Sequence, residues 1–193
     1  MTRLIVRGLI VVAFCGTQLC FAGNEGGAGG DGVLLGEELF PIDLVEAGIE
    51  NNPYIDSSLE NHPALPGVIL RLEVPLRPLN DPEAIRMVAI KLIEISRVSI
   101  PLALTLLQTI EAYRWVLVNH SLVDVKDEDT VLEIGAGKLV QLAIRRLHSV
   151  MVSRDSWGKL RLPIRRTALV VHEAAYAAMS LFIFEQFGPK DVK

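Results

Sequence analysis

The spacing of hydrophobic residues changes character several times along this chain, and each change predicts a different element. Residues 9–14 are an unbroken apolar run. Residues 33–35 and 39–40 are short apolar runs flanking Gly36-Glu37-Glu38, the pattern of a β-hairpin. Residues 43–49 fit one short helical turn that stops at Gly48. A proline-punctuated stretch over 53–78 follows, and its apolar run at 68–74 reads as a strand.

The middle of the chain then takes up helical periodicity. Asn80 or Asp81 can cap a helix that has Pro82 in its first turn, with Ile85, Val88, Ala89 and Leu92 on one face. Ser99 and Pro101 open a second helix, with Leu102, Leu106, Ile110 and Tyr113 along one side. The two apolar faces predict a helix pair joined by a short turn. Past Asp127-Glu128-Asp129 the runs 131–134, 139–144 and 149–153 are short and β-like, and predict a small antiparallel meander. A last helix is predicted over 163–187, with Pro163 in its first turn and Gly188-Pro189 as its stop. The expected fold class is therefore α+β: an N-terminal hairpin, a central helix pair, a small antiparallel sheet and a long C-terminal helix, in one domain over 33–193.

The first 32 residues stand apart from that domain. Arg3 and Arg7 precede the apolar run, and Cys20 and Ala22 put small residues at the −3 and −1 positions before Gly23. This is the tripartite pattern of a secretory signal cleaved after Ala22. Gly16, Thr17 and Gln18 interrupt the run, leaving it shorter than the roughly 20 apolar residues that a membrane span needs. Residues 23–32 (GNEGGAGGDG) read as a flexible glycine-rich head. The expected location is the periplasm or the exterior, with no transmembrane span in the mature chain. Both cysteines, Cys15 and Cys20, fall inside the signal, so the mature fold has no disulfide and must rest on packing. The whole sequence has a net charge of −4, and losing Arg3 and Arg7 makes it more acidic. That balance, with few aromatic residues, excludes a broad nucleic-acid-binding surface.

Two local motifs carry chemistry. The run 168–176 (ALVVHEAAY) is similar to the active helix of zincin metallopeptidases, which carry His-Glu-x-x-His. Residues four apart on a helix face the same way, so two imidazoles can share one zinc while the intervening Glu activates its water. On that resemblance His172 is the first zinc ligand and Glu173 the general base, and Tyr176 stands where the second ligand belongs. A phenol is a poor substitute for imidazole, and His62, His120 and His148 all lie upstream. The alternative is structural: His172 and Tyr176 form a polar pair against the sheet, and Glu173 satisfies an arginine, with Arg165 and Arg166 as candidates, or a buried backbone group.

The second motif, 129–138 (DTVLEIGAGK), resembles the first motif of Rossmann-like S-adenosylmethionine methyltransferases. In that family a strand ends at an acid, a glycine turn approaches the cofactor, and a second acid holds the ribose; Asp155 lies near the position of the second acid. Leu139 stands where the third glycine belongs, and the 56 residues after Gly137 are too few for the rest of a doubly wound sheet. A plain β-turn is the preferred reading.

A wider resemblance covers most of the mature chain. The glycine-rich head, the phrase 42–48 (IDLVEAG) and the late His-Glu-Ala-x-Tyr helix together look like a family of uncharacterised exported bacterial proteins. It implies compartment and architecture, and no reaction. Arg145-Arg146 and Arg161, Arg165 and Arg166 form basic clusters, read either as a solvated rim or as a docking spot for an anionic envelope component. The functional expectation is an exported protein of the binding or structural class, with a zincin-like zinc hydrolase as the alternative.

Overall fold

The computed structural model describes residues 30–48, 56–120, 122, 138–146 and 148–187. The signal segment, most of the glycine-rich head, the run 131–134, Gly135-Ala136-Gly137 and the Gly188-Pro189 stop lie outside the described residues.

The chain mixes helix and sheet, as its periodicities predict. Strands β1 (Asp31–Leu35) and β2 (Glu38–Pro41) form the N-terminal hairpin, paired antiparallel. Gly36 turns it with a φ of 63°, a left-handed conformation open to glycine at no steric cost. Helix α1 (Ile42–Glu46) is one turn, and Gly48 follows at a φ of 64°. A 3₁₀ turn (Ser57–Asn61) leads into helix α2 (Leu65–Leu76). Here the expected strand at 68–74 is overturned. Leu65, Leu72 and Leu76 recur at helical spacing and are buried. Pro66 sits in the first turn, where no N–H is needed; Pro75 forfeits one backbone bond, and the helix ends one residue later at Leu76.

Helices α3 (Pro82–Ser96) and α4 (Ile100–Ala112) are the predicted pair, packed on each other. The side chains of Asp81 and Ser99 cap them, accepting from the amides of Ala84 and Leu102. All four expected core positions of α3 (Ile85, Val88, Ala89 and Leu92) are buried. Strand β3 (Arg114–Val118) follows at once, an element the periodicity reading passed over. After β4 (Lys138–Gln141), β5 (Ala143–Arg146) and β6 (Ser149–Ser153) come a short helix α5 (Arg154–Lys159) and the long α6 (Pro163–Phe187).

The strands do not form one meander. Among the described residues there are two three-stranded sheets, ordered β2-β1-β4 and β3-β6-β5. The run 139–144 is split between them. Leu142, fully buried, is the pivot: β4 before it pairs antiparallel with β1, and β5 after it pairs antiparallel with β6. Strand β3 lies parallel to β6 on the other side. One hydrophobic cluster runs from Leu39 through α2, α3 and α4 to Trp115, Leu142, Val150, Val152 and Trp157, and closes on Leu169, Val170 and Ala174 of α6.

Asp81 joins the start of α3 to α6. One carboxylate oxygen accepts from Ala84 N–H at 2.9 Å, and the other accepts from Arg166. Arg166 also donates to the carbonyl of Trp157 at 3.2 Å, and Thr167 donates to that of Ala84 at 3.3 Å. Replacing Asp81 by Ala removes the cap and strands a half-buried guanidinium. The expected loss is about 2–3 kcal/mol in urea unfolding. Asp81→Asn, which can still cap, should lose about half of that.

Candidate functional site

The predicted motif residues lie on the middle turns of α6, on the side facing the N-terminal hairpin. Glu173 is 1% exposed. Its Oε1 accepts the backbone N–H of Gly30, the residue that leads into β1. Its Oε2 has no hydrogen-bond partner among the described residues, and faces the Arg145 guanidinium of β5 across 4.0 Å. That is an ion-pair separation, too long for a hydrogen bond. The arginine beside Glu173 is therefore Arg145. Arg165 and Arg166 are committed elsewhere, Arg165 to Glu38 at 3.0 Å and to the face of Phe40, Arg166 to Asp81.

His172 points to α1, where its Nδ1 meets the carboxylate of Asp43. Its ring stacks on that of Tyr176, one helical turn on, with centroids 4.7 Å apart. The Arg145 guanidinium lies 5.7 Å from the Tyr176 ring centre. The two aromatic residues are thus a pair, as the structural alternative expects. The partners Asp43, Gly30 and Arg145 were invisible to local spacing, since Gly30 and Glu173 are 143 positions apart.

Gly30 has to be glycine by close approach. A Cβ there would lie 2.6 Å from Cδ1 of Leu169 and 2.8 Å from Oε1 of Glu173. Its carbonyl accepts from the amides of Leu142 and Ala143, at 2.8 and 3.2 Å. The end of the glycine-rich stretch, expected to be flexible, is instead buried against α6, and the strand already begins at Asp31.

The electrostatics follow from this burial. Desolvation pushes the Glu173 carboxyl above its ordinary value; the positive charges of His172 and Arg145 and the Gly30 N–H pull it back only in part. For His172, burial alone would lower the pKa. The hydrogen bond and charge of Asp43, with Glu173 and Asp31 nearby, outweigh burial and raise it.

As a metal centre the cluster is incomplete. Among the described residues no three His, Cys, Asp or Glu side chains come together in a group that could hold a metal ion. Two surface hollows, of about 640 and 310 Å³, are lined by residues of other elements and not by His172, Glu173 or Tyr176. Residues 129–137 of the methyltransferase-like phrase lie outside the described residues, but its last residue, Lys138, opens β4, a strand antiparallel to β1. The methyltransferase fold needs a helix there and a parallel sheet. Asp155 lies in the first turn of α5.

No known protein family, curated protein or solved structure matches the chain.

The upward shifts of His172 and Glu173 have the same sign in linkage. A group whose pKa is raised on folding stabilises the fold fully below its unfolded value, and that contribution is lost as pH rises through the folded value. Both groups therefore favour the folded state more in acid than in base. The gap in unfolding free energy between the wild type and His172→Ala should narrow as pH is raised from about 5.5 to about 8.5. The imidazole titration, followed by NMR, should have its midpoint above the ordinary histidine value.

Proposed function

We propose that the chain is an exported protein of the envelope or the exterior that acts by binding or as a structural component, and that the His172–Glu173–Tyr176 turn is an internal clamp. The observation that carries this reading is the state of Glu173. A general base must reach a water or a substrate proton, whereas this carboxylate is buried and turned toward Gly30 N–H and Arg145. His172 is likewise engaged by Asp43 through the ring nitrogen nearer its own backbone. The cluster thus fastens α1 and β1 to α6.

Export is supported by the basic, apolar and small-residue order of residues 1–22. No helix among the described residues is long and apolar enough to cross a membrane.

Two measurements test the reading. Metal analysis of the purified mature protein should give zinc well below one equivalent, unchanged in His172→Ala. A stoichiometric, tightly held zinc that this substitution removes would restore the hydrolase. In cells expressing the full chain, N-terminal sequencing should find the protein beginning at Gly23 in the exported fraction. Accumulation of the intact polypeptide in the cytosol would defeat the export half of the proposal and leave the clamp standing.

A further inference from the structure

The basic clusters of the sequence separate once folded. Arg161 and Arg165 pair with Glu37 and Glu38, Arg166 pairs with Asp81, and Arg145 turns inward to Glu173. Arg146 does not follow its neighbour, because successive strand residues point to opposite faces. In the second sheet Arg146 is the register partner of Ser149, and Ser149 is the register partner of Arg114 on β3. Arg114, Ser149 and Arg146 therefore stand in one row on one face, with the two arginines two strand spacings apart, about 10 Å.

Both arginines are exposed, and neither has an ion-pair or hydrogen-bond partner for its side chain among the described residues. The chain is acidic overall, yet no acid stands in this row. The acid nearest Arg114 in the adjoining hollow is Glu111, whose two carboxylate oxygens are each held by Arg71 at 2.6 Å. His148 is exposed at the turn between β5 and β6 beside the row. Two guanidiniums without partners among the described residues, on either side of a hydroxyl, make a fork suited to a tetrahedral oxyanion.

The next row on the same face is apolar: Val116, Met151 and Ile144, all half-buried. Arg114 also borders the hollow of about 310 Å³ whose other walls include Val74, Pro75, Pro78 and Tyr113. Val74 is 69% exposed and adds apolar surface to that hollow. Positive charge and apolar surface thus meet at one residue.

We propose that this face binds the phosphate group of an anionic amphiphile, with Arg114, Ser149 and Arg146 holding the phosphate and the apolar surface beside Arg114 holding the acyl part. The charge of the fork complements the headgroup, and a free inorganic anion would leave the apolar row and the hollow unused. The proposal names what is bound in the binding role given above. Compartment is tested separately by N-terminal sequencing, so either reading can fail alone.

The test is calorimetric titration of the mature protein at low salt with soluble short-chain phosphatidylglycerol, with short-chain phosphatidylcholine and inorganic phosphate as the other arms. Phosphatidylglycerol should bind most tightly. Its affinity should fall at least tenfold in the double variant Arg114→Gln/Arg146→Gln, fall less in the double Lys variant, which keeps the charge and loses the fork, and change little in Arg86→Gln on α3. Both target arginines are exposed, so unchanged circular dichroism and melting would show that the variant folds. Equal binding of the zwitterionic lipid, an affinity untouched by the double Gln variant, inorganic phosphate bound as tightly as the lipid, or no binding in any arm would each overturn the proposal.

Discussion

The arrangement depends on one buried carboxylate. Taking Glu173 out of water is costly, and a buried carboxylate is tolerated only where partners offset that cost. Here the offset is partial. The Gly30 amide satisfies one oxygen, while the other sees Arg145 as a charge at 4.0 Å and not as a hydrogen-bond donor. This shortfall is why burial wins and the carboxyl stays easier to protonate than usual. His172 benefits from the same negative charge, added to that of Asp43. The two neighbours on α6 are thus coupled: the charge on Glu173 favours the proton on His172, and the charge on His172 opposes a proton on Glu173.

Gly30 shows how far this contact reaches. Its N–H goes to α6, while its carbonyl takes the amides of Leu142 and Ala143, the point at which the chain leaves one sheet for the other. One residue without a side chain therefore joins the long helix, the hairpin and the pivot between the sheets. Any side chain would collide with Leu169 and with the carboxylate it is meant to meet. The hairpin is thus held to α6 by a backbone contact in addition to the burial of Val33, Leu39 and Phe40. Removing the carboxylate would leave the Gly30 amide buried without an acceptor, a cost of about 1–3 kcal/mol.

Elements with long, regular periodicity were legible in the sequence. Helices α3, α4 and α6 appear where capping residues and apolar spacing put them, because a helix of a dozen or more residues carries several independent signals. Short elements were less secure. The run at 68–74 has β-branched and aliphatic residues in nearly continuous order, which suits strand and helix alike; the burial of Leu65, Leu72 and Leu76 decides for helix. Strand β3 did carry a signal, a Trp-Val-Leu-Val run of strong β-formers, but it abuts a helix with only Tyr113 between. The split at Leu142 could not be read, since both halves are strand and only their partners differ. At the site the sequence marked His172, Glu173 and Tyr176 as unusual on an apolar helix. It could not supply Asp43, Gly30 and Arg145, which arrive from distant strands and turns.

The same geometry explains why two dipeptides that read as units are not units. His172-Glu173 looks like ligand plus base, but the two side chains are taken by partners on different elements. Glu173 enters the interface with the hairpin, while His172 turns aside to α1. Arg145-Arg146 looks like one basic patch, but neighbours on a strand diverge by about half a turn. One guanidinium is spent on the buried carboxylate; the other joins Arg114 on the opposite face. A shift of one residue in the β5–β6 register would exchange those roles, exposing Arg145 and burying Arg146. The register that gives Glu173 its cation is thus also the one that sets an exposed arginine beside Ser149, so the inward clamp and the outward basic row are two consequences of a single strand pairing.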